Sequence, residues 1–256
     1  MANAVALLRT EALSVRFGGE VAVDHVSAAF YPGTLTAIVG PNGAGKTTFF
    51  NLISGQIRAS AGEVWLKGER ITRLSVPQRA RRGLGRAFQL TNLFPGLSVF
   101  ENIRLAVQAE ARRDFRLLSL ASDHHDLNAR SAELLETVGL SKRASAPASA
   151  LSHGDQRKLE VALLLAGRPD VFMFDEPTAG MSVDEVPPVL DLIAAIKRDR
   201  EKTILLVEHK MDVIRALADR VIVLHQGRLV ADGVPEAVMA LAVVQEAYLG
   251  STGSEG

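Results

Sequence analysis

The chain has 256 residues, 47% of them hydrophobic, and its 29 Lys and Arg are balanced by 29 Asp and Glu. That apolar fraction suffices for a large buried core and excludes general disorder, while zero net charge leaves no global field to draw in nucleic acid. Cysteine is absent, which excludes disulfide frameworks and thiolate metal sites.

In chain order, the first ten residues carry a mild apolar run with Arg9 inside it and no basic start, which argues against a secretory signal. Alternating segments at 11–17 and 21–30 predict antiparallel strands joined by Gly18-Gly19. A short β-rich run at 34–39 predicts a strand that feeds a glycine-rich turn, and 48–53 reads as a buried helix behind it. Further strands are predicted at 63–66 and 84–88. From 100 to 166 the pattern turns helical, with apolar residues three and four apart at 127–138 and 159–165. Strands at 171–175, 203–207 and 221–224 then alternate with helices at 186–198 and 211–218. That rhythm predicts an α/β fold with a mainly parallel sheet covered on both faces. Residues 234–249 open with Pro235 near a helix start and read as packed on the domain, and 251–256 as a frayed polar tail. No apolar stretch approaches the ~18 residues that span a bilayer, so work at a membrane implies docking there.

Two motifs carry chemistry. Gly40-Pro41-Asn42-Gly43-Ala44-Gly45-Lys46-Thr47 fits the phosphate-loop pattern G-x-x-x-x-G-K-[ST], and Thr48 continues it into the helix. Glycines let backbone N–H groups converge on a triphosphate, Lys46 supplies a point charge, and the Thr47 hydroxyl suits Mg²⁺. The second motif is Val171-Phe172-Met173-Phe174 ending in Asp175-Glu176, a buried strand that delivers two carboxylates to a ligand site. Strand alternation allows them separate tasks, one holding Mg²⁺ through its water shell while the other polarises an attacking water as general base, with Asp175 expected as the metal ligand and Glu176 as the catalytic residue. Other features read as structure. Ser152 and Asp155 have the spacing of a helix cap, the Asp123–Asp126 run does not converge on one ion, and the six arginines between 70 and 86 read as a solvated face.

Leu151-Ser152-His153-Gly154-Asp155, lying between the two motifs, resembles the Leu-Ser-Gly-Gly-Gln signature of the ATP-binding-cassette (ABC) ATPases. The resemblance runs over nearly the whole chain. It implies a P-loop ABC domain with a RecA-like core and antiparallel β subdomain at 1–90 and 167–256, and an inserted helical subdomain at 91–166. It also implies that ATP and Mg²⁺ are bound, and that Ser152 and Gly154 donate hydrogen bonds to the ATP of a second cassette subunit, a copy or a paralogue. Gln89 resembles the glutamine that reaches Mg²⁺ and the attacking water, His209 the histidine at the γ-phosphate, and Phe17 the aromatic ring against adenine, with a strand-core role as the alternative for Phe17. His153, Asp155 and Ser182 depart from the family's usual spelling, and Asp155 is expected to face its helix start or a ribose.

Within that family, Arg16-Phe17-Gly18-Gly19, Arg86-Ala87-Phe88-Gln89-Leu90 and Glu208-His209-Lys210-Met211 resemble the ATPase subunits of bacterial branched-chain amino acid importers. The implied partners are two membrane permeases and, indirectly, a solute-binding protein, with the chain peripheral on the cytoplasmic face of the inner membrane and no nucleic acid involved. Urea or amide import, and a soluble ATP-driven clamp, are the rival functions.

Overall fold

Two sheets organise the computed structural model, which describes residues 5–87, 93–111 and 125–249, with side chains as far as 246. Strands β1 (Leu8–Phe17), β2 (Glu20–Phe30), β4 (Ala61–Leu66) and β5 (Glu69–Arg70) form an antiparallel sheet in the order β2-β1-β4-β5. The larger sheet has the order β10-β9-β3-β8-β7-β6, from strands β3 (Leu35–Val39), β6 (Leu84–Ala87), β7 (Val171–Asp175), β8 (Thr203–Val207), β9 (Arg220–His225) and β10 (Arg228–Gly233). Strands β7, β8, β3 and β9 run parallel, and β10 turns back antiparallel on β9.

Every residue of β3, β7 and β8 is buried, as expected of parallel strands covered on both faces. The two faces have separate cores because neighbouring strand residues point opposite ways. Ile38, Met173, Leu205 and Ile222 pack with Phe49 and Phe50 of α1 (Lys46–Ser54) and with Leu8 and Leu13 of the antiparallel sheet. On the other face, Ala37, Val39, Val221 and Val223 meet Ile214 of α7 (Met211–Leu217), Val238 of α8 (Pro235–Met239) and Val244 of α9 (Ala242–Leu249). Burying a Phe or Ile side chain there contributes roughly 1.5–3 kcal/mol before entropy is counted. Among the described residues no helix is long and apolar enough to cross a membrane.

Two units are distinguishable. The first comprises Met1–Arg86, Asp170–Glu176 and Ile196–Gly256, and the second Ala87–Pro169 and Pro177–Ala195. Helices α3 (Val99–Glu110), α4 (His125–Thr137) and α5 (His153–Ala166) build the second unit. A capping box between Ser98 and Glu101 starts α3, and buried Asn102 pins the preceding loop by bonding to Phe94, Leu97 and Ser98. Pro177–Ala195, although it follows the carboxylate strand, groups with the helical unit. Glu185, just before α6 (Val186–Lys197), ties that segment to the start of α5 by accepting the Gly154 N–H at 3.0 Å.

The arginine run is not a uniform solvated face. Arg79, on α2 (Val76–Ala80), is 2% exposed and its guanidinium donates to the carbonyls of Leu52, Ile53, Thr72 and Leu74. It thereby satisfies carbonyls at the end of α1, and burial pulls its pKa down to about 10. Arg79→Met is expected to destabilise the chain by about 3 kcal/mol or more, because several buried acceptors lose a charged donor. Chemical denaturation reads the effect as a lower midpoint.

Candidate functional site

Strand β3 delivers the phosphate loop at the centre of the parallel sheet. Gly40 follows at φ 148, and a Cβ there would sit 2.1 Å from the Leu224 carbonyl oxygen of β9, so a side chain is excluded by close approach. Gly43 and Gly45 also take positive φ, and Gly45 is the N-cap of α1. A glycine cap supplies no side-chain acceptor and the first turn holds no acid, which leaves the N–H groups and the positive end of the helix to an anion. Residues 20–22, 42–48 and 226–227, with Glu176, line an open cavity of about 440 Å³. Lys46 Nζ donates to the Gly40 and Pro41 carbonyls at 2.7 and 2.9 Å. Burial pulls the Lys46 pKa down, while the charges of Glu176 and Asp175 oppose that shift.

The two carboxylates are separated by a route other than strand alternation. Strand β7 ends at Asp175, and Glu176 is a left-handed residue at φ 50 whose N–H donates to Val207 O at 2.9 Å. A non-glycine residue at this φ is uncommon and is held by its surroundings. The backbone turn, not the pleat, brings Glu176 to the cavity wall. Asp175 instead pairs with Arg86, Nη2 to Oδ2 at 2.7 Å, with the two side chains 8% and 7% exposed. Arg86 also donates to Asn51 Oδ1 and Ser54 Oγ of α1 at 2.7 and 2.8 Å and lies over the Phe50 ring. It binds the carboxylate strand to the phosphate-loop helix, and burial pulls its pKa down against the favourable charge of Asp175.

Nothing local in the sequence marks Arg86, because its partner lies 89 residues away. A second residue missed there is Glu208, fully buried, whose Oε1 accepts the N–H groups of His209 and Lys210 and so shapes the turn that carries His209. Its signals in the sequence are an acid directly after an apolar strand and its place at the head of the stretch Glu208-His209-Lys210-Met211. His209 Nδ1 is 3.6 Å from the same Glu208 oxygen, and its ring is half-exposed. Phe17 is 49% exposed at the end of β1, opposite Glu20 of the cavity wall, so it is a surface ring and not part of the strand core. Gln89 lies outside the described residues.

Ser152 and Gly154 belong to the second unit. Ser152 caps α5, its Oγ accepting the Asp155 N–H at 3.2 Å. The Asp155 carboxylate turns to Lys158 on its own helix at 3.0 Å. Glu185 accepts from the Gly154 N–H and from the Ser182 N–H and hydroxyl, and these donors hold its carboxyl down at about 2.

A phosphate loop at the centre of a parallel sheet, acids at neighbouring strand ends and a capped signature turn together define a nucleotide-hydrolysing cassette. Comparison with known proteins agrees. The ABC transporter family profile matches residues 23–179. The chain is 36% identical over 249 residues to the high-affinity branched-chain amino acid transport ATP-binding protein LivG of Escherichia coli strain K12, covering 95% of this chain and 98% of that protein. It is 34% identical over 249 residues to the corresponding BraF of Pseudomonas aeruginosa, with the same coverage. Among solved structures, a nucleotide-free ATP-binding cassette from an ABC transporter superposes with a TM-score of 0.83 at 26% identity, covering 95% of this chain and 99% of that one. The ADP conformation of such a cassette gives the same score and identity over 96% and 99%. The chain belongs to the ABC transporter family and is an ATP-binding ABC ATPase.

A depressed carboxyl pKa makes Glu185 a source of stability that is complete above its ordinary value of 4.5 and is lost as pH falls toward about 2. Carbon-detected NMR titration of the Glu185 carboxyl is expected to give a midpoint near 2. A midpoint near 4.5 contradicts the bonding described for it.

Proposed function

We propose that this chain is the ATP-hydrolysing subunit of a bacterial importer for branched-chain amino acids, peripheral on the cytoplasmic face of the inner membrane beneath two permeases. Full-length similarity to LivG and BraF supports the solute class. The observation that carries the chemistry is the cavity shared by the phosphate loop and the left-handed Glu176.

The N–H groups of 43–48 and the Lys46 ammonium cradle the phosphates, Lys46 exchanging its two carbonyl partners for phosphate oxygens. The oxygen donors Thr47 and Asp175, with Gln89, suit a hard cation, and Mg²⁺ held there would neutralise charge on the phosphates. Phe17, exposed beside the cavity wall, stacks on adenine. Glu176 takes a proton from water as the water oxygen bonds to the γ-phosphorus, and the bond to the leaving ADP oxygen breaks, with His209 orienting the γ-phosphate. Ser152 and Gly154 complete the site from a second cassette, a copy or a paralogue, so closure of the pair accompanies binding, and the Gln89 segment passes that closure to the permeases.

Lys46→Ala is expected to lower ATP turnover about 10² to 10³-fold, the usual loss for one preorganised donor to transferring phosphate. A steady-state phosphate-release assay measures it, and wild-type turnover overturns the role. Glu176→Gln is expected to bind Mg-ATP, hydrolyse it poorly and run as a dimer on gel filtration. Monomer elution with undiminished hydrolysis contradicts the assignment.

A further inference from the structure

A donor that the closed pair would need from the signature turn, the Gly154 N–H, already holds an anion. Gly154 N–H donates to Glu185 Oε1 at 3.0 Å. On the same turn the Ser152 hydroxyl oxygen accepts the Asp155 N–H at 3.2 Å. Glu185 Oε2 accepts the Ser182 N–H and hydroxyl at 3.2 and 3.1 Å.

Half of this arrangement is ordinary. Ser182 and Glu185 have the spacing of a capping box at the start of a helix, and one carboxylate oxygen is enough for that task. The other oxygen reaches a turn 31 residues away in sequence. The stem of Glu185 also lies against that turn, since a Cβ on Gly154 would come within 3.0 Å of both Glu185 Cβ and Cγ. Position 154 therefore has a reason to be glycine within one protomer, apart from any phosphate.

Resting on the reading that Ser152 and Gly154 receive a γ-phosphate from a second cassette, the geometry points to Glu185 as the resident anion of the signature turn, a positioning residue that the phosphate displaces on closure. The carboxylate keeps the Gly154 donor satisfied and its turn ordered while no phosphate is present. Carboxylate and phosphoryl oxygens are the same kind of acceptor, but one N–H serves one acceptor well, and two anions on the same donors repel. Closure thus requires Glu185 to release Gly154 while its capping bonds to Ser182 give it a place to remain. The residue orders the turn and also raises the ATP concentration at which the pair closes.

The test uses the Glu176→Gln background, in which the ATP-bound pair accumulates. Glu185→Gln keeps a capping side chain but removes the charge. Titration with Mg-ATP, read by light scattering, is expected to show half-maximal dimer at an ATP concentration about 3- to 10-fold lower, the scale of exchanging a charged acceptor for a neutral one. In the nucleotide-free monomer, Glu185→Ala is expected to speed amide exchange over residues 152–155. An unchanged or higher ATP requirement in the first variant, or unchanged exchange in the second, overturns the inference. Ser152→Ala in the same background separates the two levels. If it abolishes the dimer while Glu185→Gln has no effect, only the role of Glu185 falls; if the dimer survives Ser152→Ala, the signature reading falls and this inference with it.

Discussion

Charge buried at the carboxyl ends of parallel strands must be partnered at every stage, and this constraint shapes the whole nucleotide site. Lys46 rests on two carbonyls of its own loop and Asp175 on Arg86. In the proposed function each is a local partner for a group that ATP or its metal would otherwise engage. An unpartnered donor or carboxylate in such a place costs from about 1 to several kcal/mol, enough to distort the loop that carries it. Internal pairing therefore preserves the geometry of these groups, and in the proposed function ligand binding becomes an exchange of partners.

The sheet makes this possible. Strand β3 sits between β8 and β9, so the phosphate loop emerges at the centre, with the acids of β7 and the Glu208-His209 turn of β8 at adjacent strand ends. The fully buried strands leave little freedom for those ends to move. Arg86 then joins the strand leading to Gln89, the carboxylate strand and the phosphate-loop helix through hydrogen bonds to Asp175, Asn51 and Ser54. Its pairing energy is modest once desolvation is counted, but it fixes which elements stay together.

What could be read in advance follows from sequence distance. The phosphate loop and the Val171–Asp175 strand are contiguous signals: residues 42–48 line the cavity and Asp175 ends its strand. Ser152 was legible as a cap because a cap is local. Arg86, Glu185 and Glu208 were not, since each gains its meaning from a partner or a burial that only the tertiary fold creates. Strands β5 and β10 were missed for a different reason. Their hairpin turns, Lys67-Gly68 and Gln226-Gly227, place both central residues at positive φ with Lys and Gln where Asn or Asp would have announced the turn. Glu176 shows a third limit: a strand pattern cannot reveal the one residue at which the backbone leaves the strand.

The central claim is that one complete site draws the phosphate loop from one protomer and the signature turn from another. Mixing two inactive proteins, one carrying Lys46→Ala and the other Ser152→Arg, tests it most directly by the rate of phosphate release. In a mixed pair one site carries both defects and the other carries neither, so activity is expected to reappear on mixing. Activity no greater than the sum of the separate proteins, in a mixture shown to form mixed pairs, would contradict the account.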